Sequence, residues 1–134
     1  MFRALRVDKM IYQALETTLR LLLFERYDSI PALRMLRSTP ESIRNRAAQF
    51  CSRLDGRAEV IAGESVAGGG STPDQSLPTW LVAMRGNAVE MERTLRSGQP
   101  PVIARIQDDR LVLDLRTVAP AEEEDLLAAV LSLF

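Results

Sequence analysis

The chain has no histidine, a single lysine (Lys9), a single cysteine (Cys51) and a single tryptophan (Trp80) among its 134 residues. Without histidine there is no imidazole base and no imidazole metal ligand. With one lysine there is one amine that could form a Schiff base. A lone cysteine forms neither an internal disulfide nor a thiolate metal site, which fits a reducing compartment, and Cys51 reads as a small buried apolar residue on a helix. No apolar run approaches the ~18 residues of a membrane span, and Leu19 to Phe24 is interrupted by Arg20 and bounded by Glu25 and Arg26. No cleavable leader is recognisable at the amino terminus, so the chain reads as soluble and cytoplasmic.

What is abundant is arginine. Sixteen of the seventeen basic residues are Arg, yet eighteen acidic residues bring the net charge to -1. Any contact with RNA or phosphate must therefore come from local clusters, not from an overall basic field. An apolar fraction of 46% with 26% charged residues suits a soluble globular domain with a real core.

Periodicity and punctuation predict the elements. Asp8 is placed to cap a helix running to about Phe24, with Ile11, Leu15, Leu19, Leu22 and Leu23 as its apolar stripe. Thr39-Pro40-Glu41 starts a second helix, with Ile43, Ala47, Phe50, Cys51 and Leu54 on one side and Gly56 as its stop. Residues 58–62 read as a short strand, and Gly63 to Ser76, rich in Gly, Ser and Pro, as a loop. Thr79 to Met84 reads as a buried strand with Trp80 in the core, and Asn87 with Glu90 as the start of a helix ending near Gly98. Val102–Ile106 and Leu111–Leu115 form a hairpin about Asp108-Asp109, in which Ile106 faces Leu111, Ala104 faces Leu113 and Val102 faces Leu115. Arg105 then points to the other side, opposite Val112. Pro120 and the run Glu122 to Asp125 suit a last helix with Leu126, Leu127, Val130 and Leu131 buried, the carboxylates forming a solvated, dipole-favoured surface. Helices and strands segregate, which predicts an α+β lobe with a mostly antiparallel sheet covered by helices.

Several ordered segments carry a resemblance: Arg3-Ala4-Leu5-Arg6-Val7-Asp8-Lys9-Met10, Ile30 to Leu36, Gly68-Gly69-Gly70-Ser71 with Leu77-Pro78-Thr79-Trp80, Pro101 to Ile106, and Arg110 to Val118. As a set they resemble the carboxy-terminal part of the bacterial L-seryl-tRNA(Sec) selenium transferases (selenocysteine synthases), pyridoxal-phosphate enzymes of the aspartate-aminotransferase fold type. The resemblance implies a connecting segment with a long helix, residues 1–26, entering a small domain, residues 27–134. It implies conversion of seryl-tRNA(Sec) to selenocysteinyl-tRNA(Sec): the seryl group is dehydrated on pyridoxal phosphate to a dehydroalanyl group, and selenium from selenophosphate adds. It also implies a homo-oligomer built of dimers.

In that family the cofactor lysine stands in a Gly-Asp-Lys segment of a large domain that this chain lacks. Lys9 belongs instead to Arg-Val-Asp-Lys, so by the resemblance it is not the Schiff-base residue and this chain alone is inactive. Arg3 and Arg6 match arginines that line the selenium-donor pocket. A spacing of three puts them on one side of a helical turn but on opposite sides of a strand, so joint anion binding needs a turn there; otherwise they are two solvated charges. Arg105 has two readings: a cross-strand ion pair with Asp114, or a substrate-binding arginine that meets the seryl ester or the terminal nucleotide of the tRNA. Gly68, Gly69, Gly70 and Ser71 are either an active-site rim or a flexible connection. Two other functions stay open: a selenium-independent pyridoxal-phosphate lyase relative, and a non-catalytic assembly module.

Overall fold

A computed structural model describes residues 6–66 and 76–134. Contacts divide the chain into two compact units, one ending at Arg37 and one running from Ser38 to Phe134.

In the first unit, α1 spans Lys9–Leu23. The Asp8 carboxylate accepts the free N–H groups of Met10 and Ile11 at 2.9 and 3.0 Å, the cap expected from the sequence. None of its residues is buried, and the stripe of Ile11, Leu15 and Leu19 is about half exposed. A 3-10 turn, Tyr27–Ser29, leads into α2, Pro31–Arg37, whose last guanidinium lies 4.8 Å from the Tyr27 ring centroid. Seven residues are too few for a helical period to emerge, and no α2 was expected.

The second unit opens with α3, Pro40–Ser52, capped by Thr39, whose hydroxyl accepts from the Ser42 N–H at 3.2 Å. Strands β1 (Ala58–Val66) and β2 (Ser76–Met84) pair antiparallel along their full lengths. Residues 63–66 are therefore strand, not the start of a loop. The glycine that suggested a break instead leaves room for the buried Leu81 of β2, since a Cβ at Gly63 would come to 2.5 Å from that side chain. Pro78 is tolerated because β2 pairs with β4 only from Leu81 to Met84, so no ladder bond is asked of its missing N–H on that side.

Helix α4, Ala88–Ser97, is capped by Asn87, which accepts from the Glu90 N–H. The hairpin of β3 (Arg105–Gln107) and β4 (Arg110–Asp114) turns at Asp108 and Asp109, with φ of 50° and 58°. Positive φ at both central residues belongs to the type I′ turn, whose twist matches that of the strands. Ile106 faces Leu111 and Arg105 faces Val112, the expected register. The ladder is shorter than expected, however. Val102 donates to the Leu95 carbonyl of α4 at 2.9 Å, and Leu115 has entered a 3-10 turn (Leu115–Thr117), so neither takes part in the pairing. A last 3-10 turn, Pro120–Glu122, precedes α5, Glu123–Leu131.

The sheet order is β1-β2-β4-β3, antiparallel throughout, and with its helices it forms the expected α+β fold. Strand alternation sends Val82, Met84, Leu111 and Leu113 into one cluster with Phe50 of α3, Met91 and Leu95 of α4, and Leu126, Leu127 and Val130 of α5. Each large side chain buried there contributes roughly 1.5–3 kcal/mol. Leu81, Ala83 and Val112 form a smaller cluster with Ile61, at the alternate strand positions. Cys51 and Trp80 are half-buried, not fully in the core as expected. Trp80 carries the Arg44 guanidinium 4.6 Å from its ring centroid, a stacking that needs an open ring face.

Candidate functional site

A cleft of about 670 Å³ lies in the second unit beside the end of β1 and the β3–β4 hairpin. Its walls are mainly apolar, from Val66, Pro100, Pro101, Val102, Ile103 and Val118, with Leu126 of α5 beneath. Polar residues line it as well: Arg105 and Ser65, with Asp114, Thr117, Glu122 and Asp125. A mostly apolar recess with a few convergent polar groups is the usual form of a ligand site.

The hairpin register brings Arg105 here. It stands beside Val112, away from the Leu111 and Leu113 core, and is exposed. The expected alternative, an ion pair with Asp114, does not form. Asp114 is already taken: one carboxylate oxygen accepts from the Ser65 hydroxyl, the other from the Thr79 hydroxyl at 3.1 Å and the Arg116 N–H at 3.0 Å. Arg105 instead donates from Nη2 to the Glu64 carbonyl at 3.3 Å, and among the described residues no carboxylate pairs with it. A guanidinium held by one neutral acceptor keeps most of its donors for an anion or ester.

Behind this edge lies a residue not singled out from the sequence. Arg116, 5% exposed, donates to the Ser65 hydroxyl at 3.0 Å and to the carbonyls of Ser38 and Pro78 at 2.8 and 2.7 Å. It thereby ties the entry to α3, the end of β1 and the start of β2 to the turn after β4. The signal was an Asp and an Arg two residues apart in the otherwise apolar run Leu111 to Arg116, since buried charges require partners.

The acidic run at the start of α5 is more structural than expected. Glu123 is half-buried and bonds Arg46, which also donates to the Val118 carbonyl at 2.8 Å. Glu124 is fully exposed and bidentate with Arg53, and this bond holds its carboxyl below the ordinary range. Arg46 on α3 and Arg53 at its C-cap, seven apart, share a face, and this spacing is what lets both reach the start of α5. The Cys51 thiol is pushed up by burial and then by the Glu59 charge, which makes it a poor nucleophile at neutral pH.

Of the other expected site residues, Arg6 is exposed in the irregular stretch before α1. Arg3 lies outside the described residues, and so do Gly68, Gly69, Gly70 and Ser71. Lys9 is exposed in the first turn of α1. The cleft offers no amine, so the residues here do not fit a Schiff-base site for pyridoxal phosphate. Among the described residues no group of acidic or Cys side chains is arranged to hold a metal, and no helix is long and apolar enough to cross a membrane.

A family model described as L-seryl-tRNA selenium transferase matches residues 1–119. The L-seryl-tRNA(Sec) selenium transferase of Moorella thermoacetica is 43% identical over 96% of this chain, that of Aquifex aeolicus 39% over 87%, and that of Geobacter metallireducens 40% over 99%. The chain spans only 30%, 27% and 31% of the lengths of these three relatives.

Proposed function

The chain belongs to the L-seryl-tRNA selenium transferase family, and on that premise we propose that it is the small-domain part of an enzyme converting seryl-tRNA(Sec) to selenocysteinyl-tRNA(Sec) with selenophosphate. In this reading residues 1–26 are the connecting segment and its long helix, and residues 27–134 are the small domain of an aspartate-aminotransferase-type fold. Pyridoxal phosphate and its lysine belong to the large domain, and the complete protein is a cytoplasmic homo-oligomer of dimers. The observation that carries the reading is the family match over residues 1–119. The geometry supports it at Arg105, an exposed guanidinium at the edge of an apolar cleft, bonded to one backbone carbonyl.

This part of the protein contributes binding, not bond-making. Arg3 and Arg6 hold the selenophosphate dianion, because arginine is charged at every relevant pH and donates paired hydrogen bonds to a tetrahedral oxyanion. Arg105 orients the seryl ester or the terminal nucleotide of the tRNA, and Gly68, Gly69, Gly70 and Ser71 form the rim.

The test separates the two half-reactions in the complete enzyme. Replacing Arg6 by Ala leaves dehydration of the seryl group largely intact and weakens selenophosphate binding about ten- to a hundredfold, the cost of one charge-assisted contact. Arg6→Lys recovers part of this. An unchanged dependence of rate on selenophosphate in the Arg3→Ala/Arg6→Ala double variant refutes the donor-site assignment.

A further inference from the structure

Arg105 reaches its place with little support of its own. It stands on a three-residue edge strand, it is exposed, and one 3.3 Å bond to the Glu64 carbonyl orients its guanidinium. A long side chain with several free rotors stays aimed only if the acceptor it leans on is itself immobile. The Glu64 carbonyl is anchored through its neighbour in the chain. The next residue, Ser65, is 5% exposed, and its hydroxyl sits between two charged groups, one at the end of β4 and one in the turn after it, donating to the Asp114 carboxylate and accepting from Arg116 Nε at 3.0 Å. Asp114 is fixed in turn by Thr79 and by the Arg116 N–H, and Arg116 by the Ser38 and Pro78 carbonyls.

Arg116 donates to the Ser65 hydroxyl and that hydroxyl donates to Asp114, so the residue next to the Glu64 carbonyl, the acceptor on which Arg105 leans, is held on both sides. We propose that Ser65, held between Asp114 and Arg116, is a positioning residue for Arg105, setting the direction in which that guanidinium meets substrate at the cleft. The proposal rests on the reading of Arg105 as the substrate-facing cation. It extends that reading by making the strength of substrate binding depend on a hydroxyl that touches no substrate. A purely structural Ser65 would lower stability whether or not Arg105 were present. A positioning Ser65 loses its effect on binding once Arg105 is gone, and this difference is measurable.

The experiment is a double-mutant cycle in the complete enzyme, reading KM for seryl-tRNA(Sec) and kcat separately. Arg105→Ala is expected to raise KM by about tenfold. Ser65→Ala, which removes the hydroxyl and nothing else, is expected to raise KM roughly three- to tenfold with kcat near wild type. The double variant is expected to match Arg105→Ala alone. Asp114→Asn, which keeps the acceptor facing Thr79 and Arg116 but presents an amide to Ser65, serves as the second variant if Ser65→Ala folds poorly, and its expected pattern is the same. If KM effects at Ser65 and Arg105 simply multiply, or if neither Ser65→Ala nor Asp114→Asn moves KM, the positioning role is wrong while the reading of Arg105 stands. If Arg105→Ala leaves KM unchanged, the reading of Arg105 fails and the positioning role falls with it.

Discussion

Replacing Arg116 by Met tests how much of the second unit depends on one buried guanidinium. The side chain donates to the Ser65 hydroxyl and to the Ser38 and Pro78 carbonyls at 3.0, 2.8 and 2.7 Å. Bonds to a charged group are worth about 1.5–3 kcal/mol each, so the gross loss is several kcal/mol. Against this stands the desolvation of the guanidinium, which Met does not incur, together with the apolar fit of a similar-sized side chain. The buried Ser65 hydroxyl and the part-buried Ser38 and Pro78 carbonyls nevertheless lose their charged partner, which leaves a net destabilisation of about 3 kcal/mol. For a protein stable by roughly 5–15 kcal/mol this is a large share, and for a unit of this size it lowers Tm by about 12–24 °C. The assay is urea unfolding followed by fluorescence of Trp80, the sole tryptophan, which lies on β2 two residues from the Pro78 carbonyl that Arg116 holds. Arg116→Lys, keeping the charge but not the fork of donors, should fall between Met and wild type. A midpoint for Arg116→Met within about 0.5 kcal/mol of wild type would mean that these bonds merely replace equally good bonds to water, and the reasoning would be wrong.

Two further outcomes follow from the core and from the charged surface. Leu111→Ala, at a position with no exposure on β4, should cost about 2–5 kcal/mol in the same urea assay with an unchanged slope; a loss under 1 kcal/mol would mean that the site collapses around the smaller side chain. Glu124 has its pKa lowered from an ordinary 4.5 by the bond from Arg53, so its contribution to stability is present above 4.5 and is lost as the pH falls through the lower folded value. Glu124→Gln should therefore flatten the fall of Tm with acid below about pH 4.5, and high salt should erase the difference because the pair is exposed; an acid limb identical to wild type at low salt would refute the linkage.

What the sequence by itself determined was local. The caps of α1, α3 and α4 rest on a side chain two or three residues from the N–H it accepts, and Asp8, Thr39 and Asn87 do what their positions suggest. The register of the β3–β4 hairpin is a period of two anchored by a two-residue turn, so the side of the sheet on which Arg105 stands could be counted from Asp108-Asp109. The ordered motifs were likewise enough to point to the family. Tertiary structure decided which polar groups meet. Ser65 and Asp114 are 49 residues apart and Ser65 and Arg116 are 51 apart, and the β1–β2–β4 pairing brings them together at a point that no period marks. The β1–β2 pairing turned an expected loop into the end of β1, the bonds from Ser65 and Thr79 removed Asp114 as a partner for Arg105, and a separate contact between residues 77 apart drew Glu123 out of a solvated run onto Arg46. Backbone periodicity determines where a side chain points, but the partner that satisfies a buried charge is fixed only when distant strands and helices have packed and excluded water.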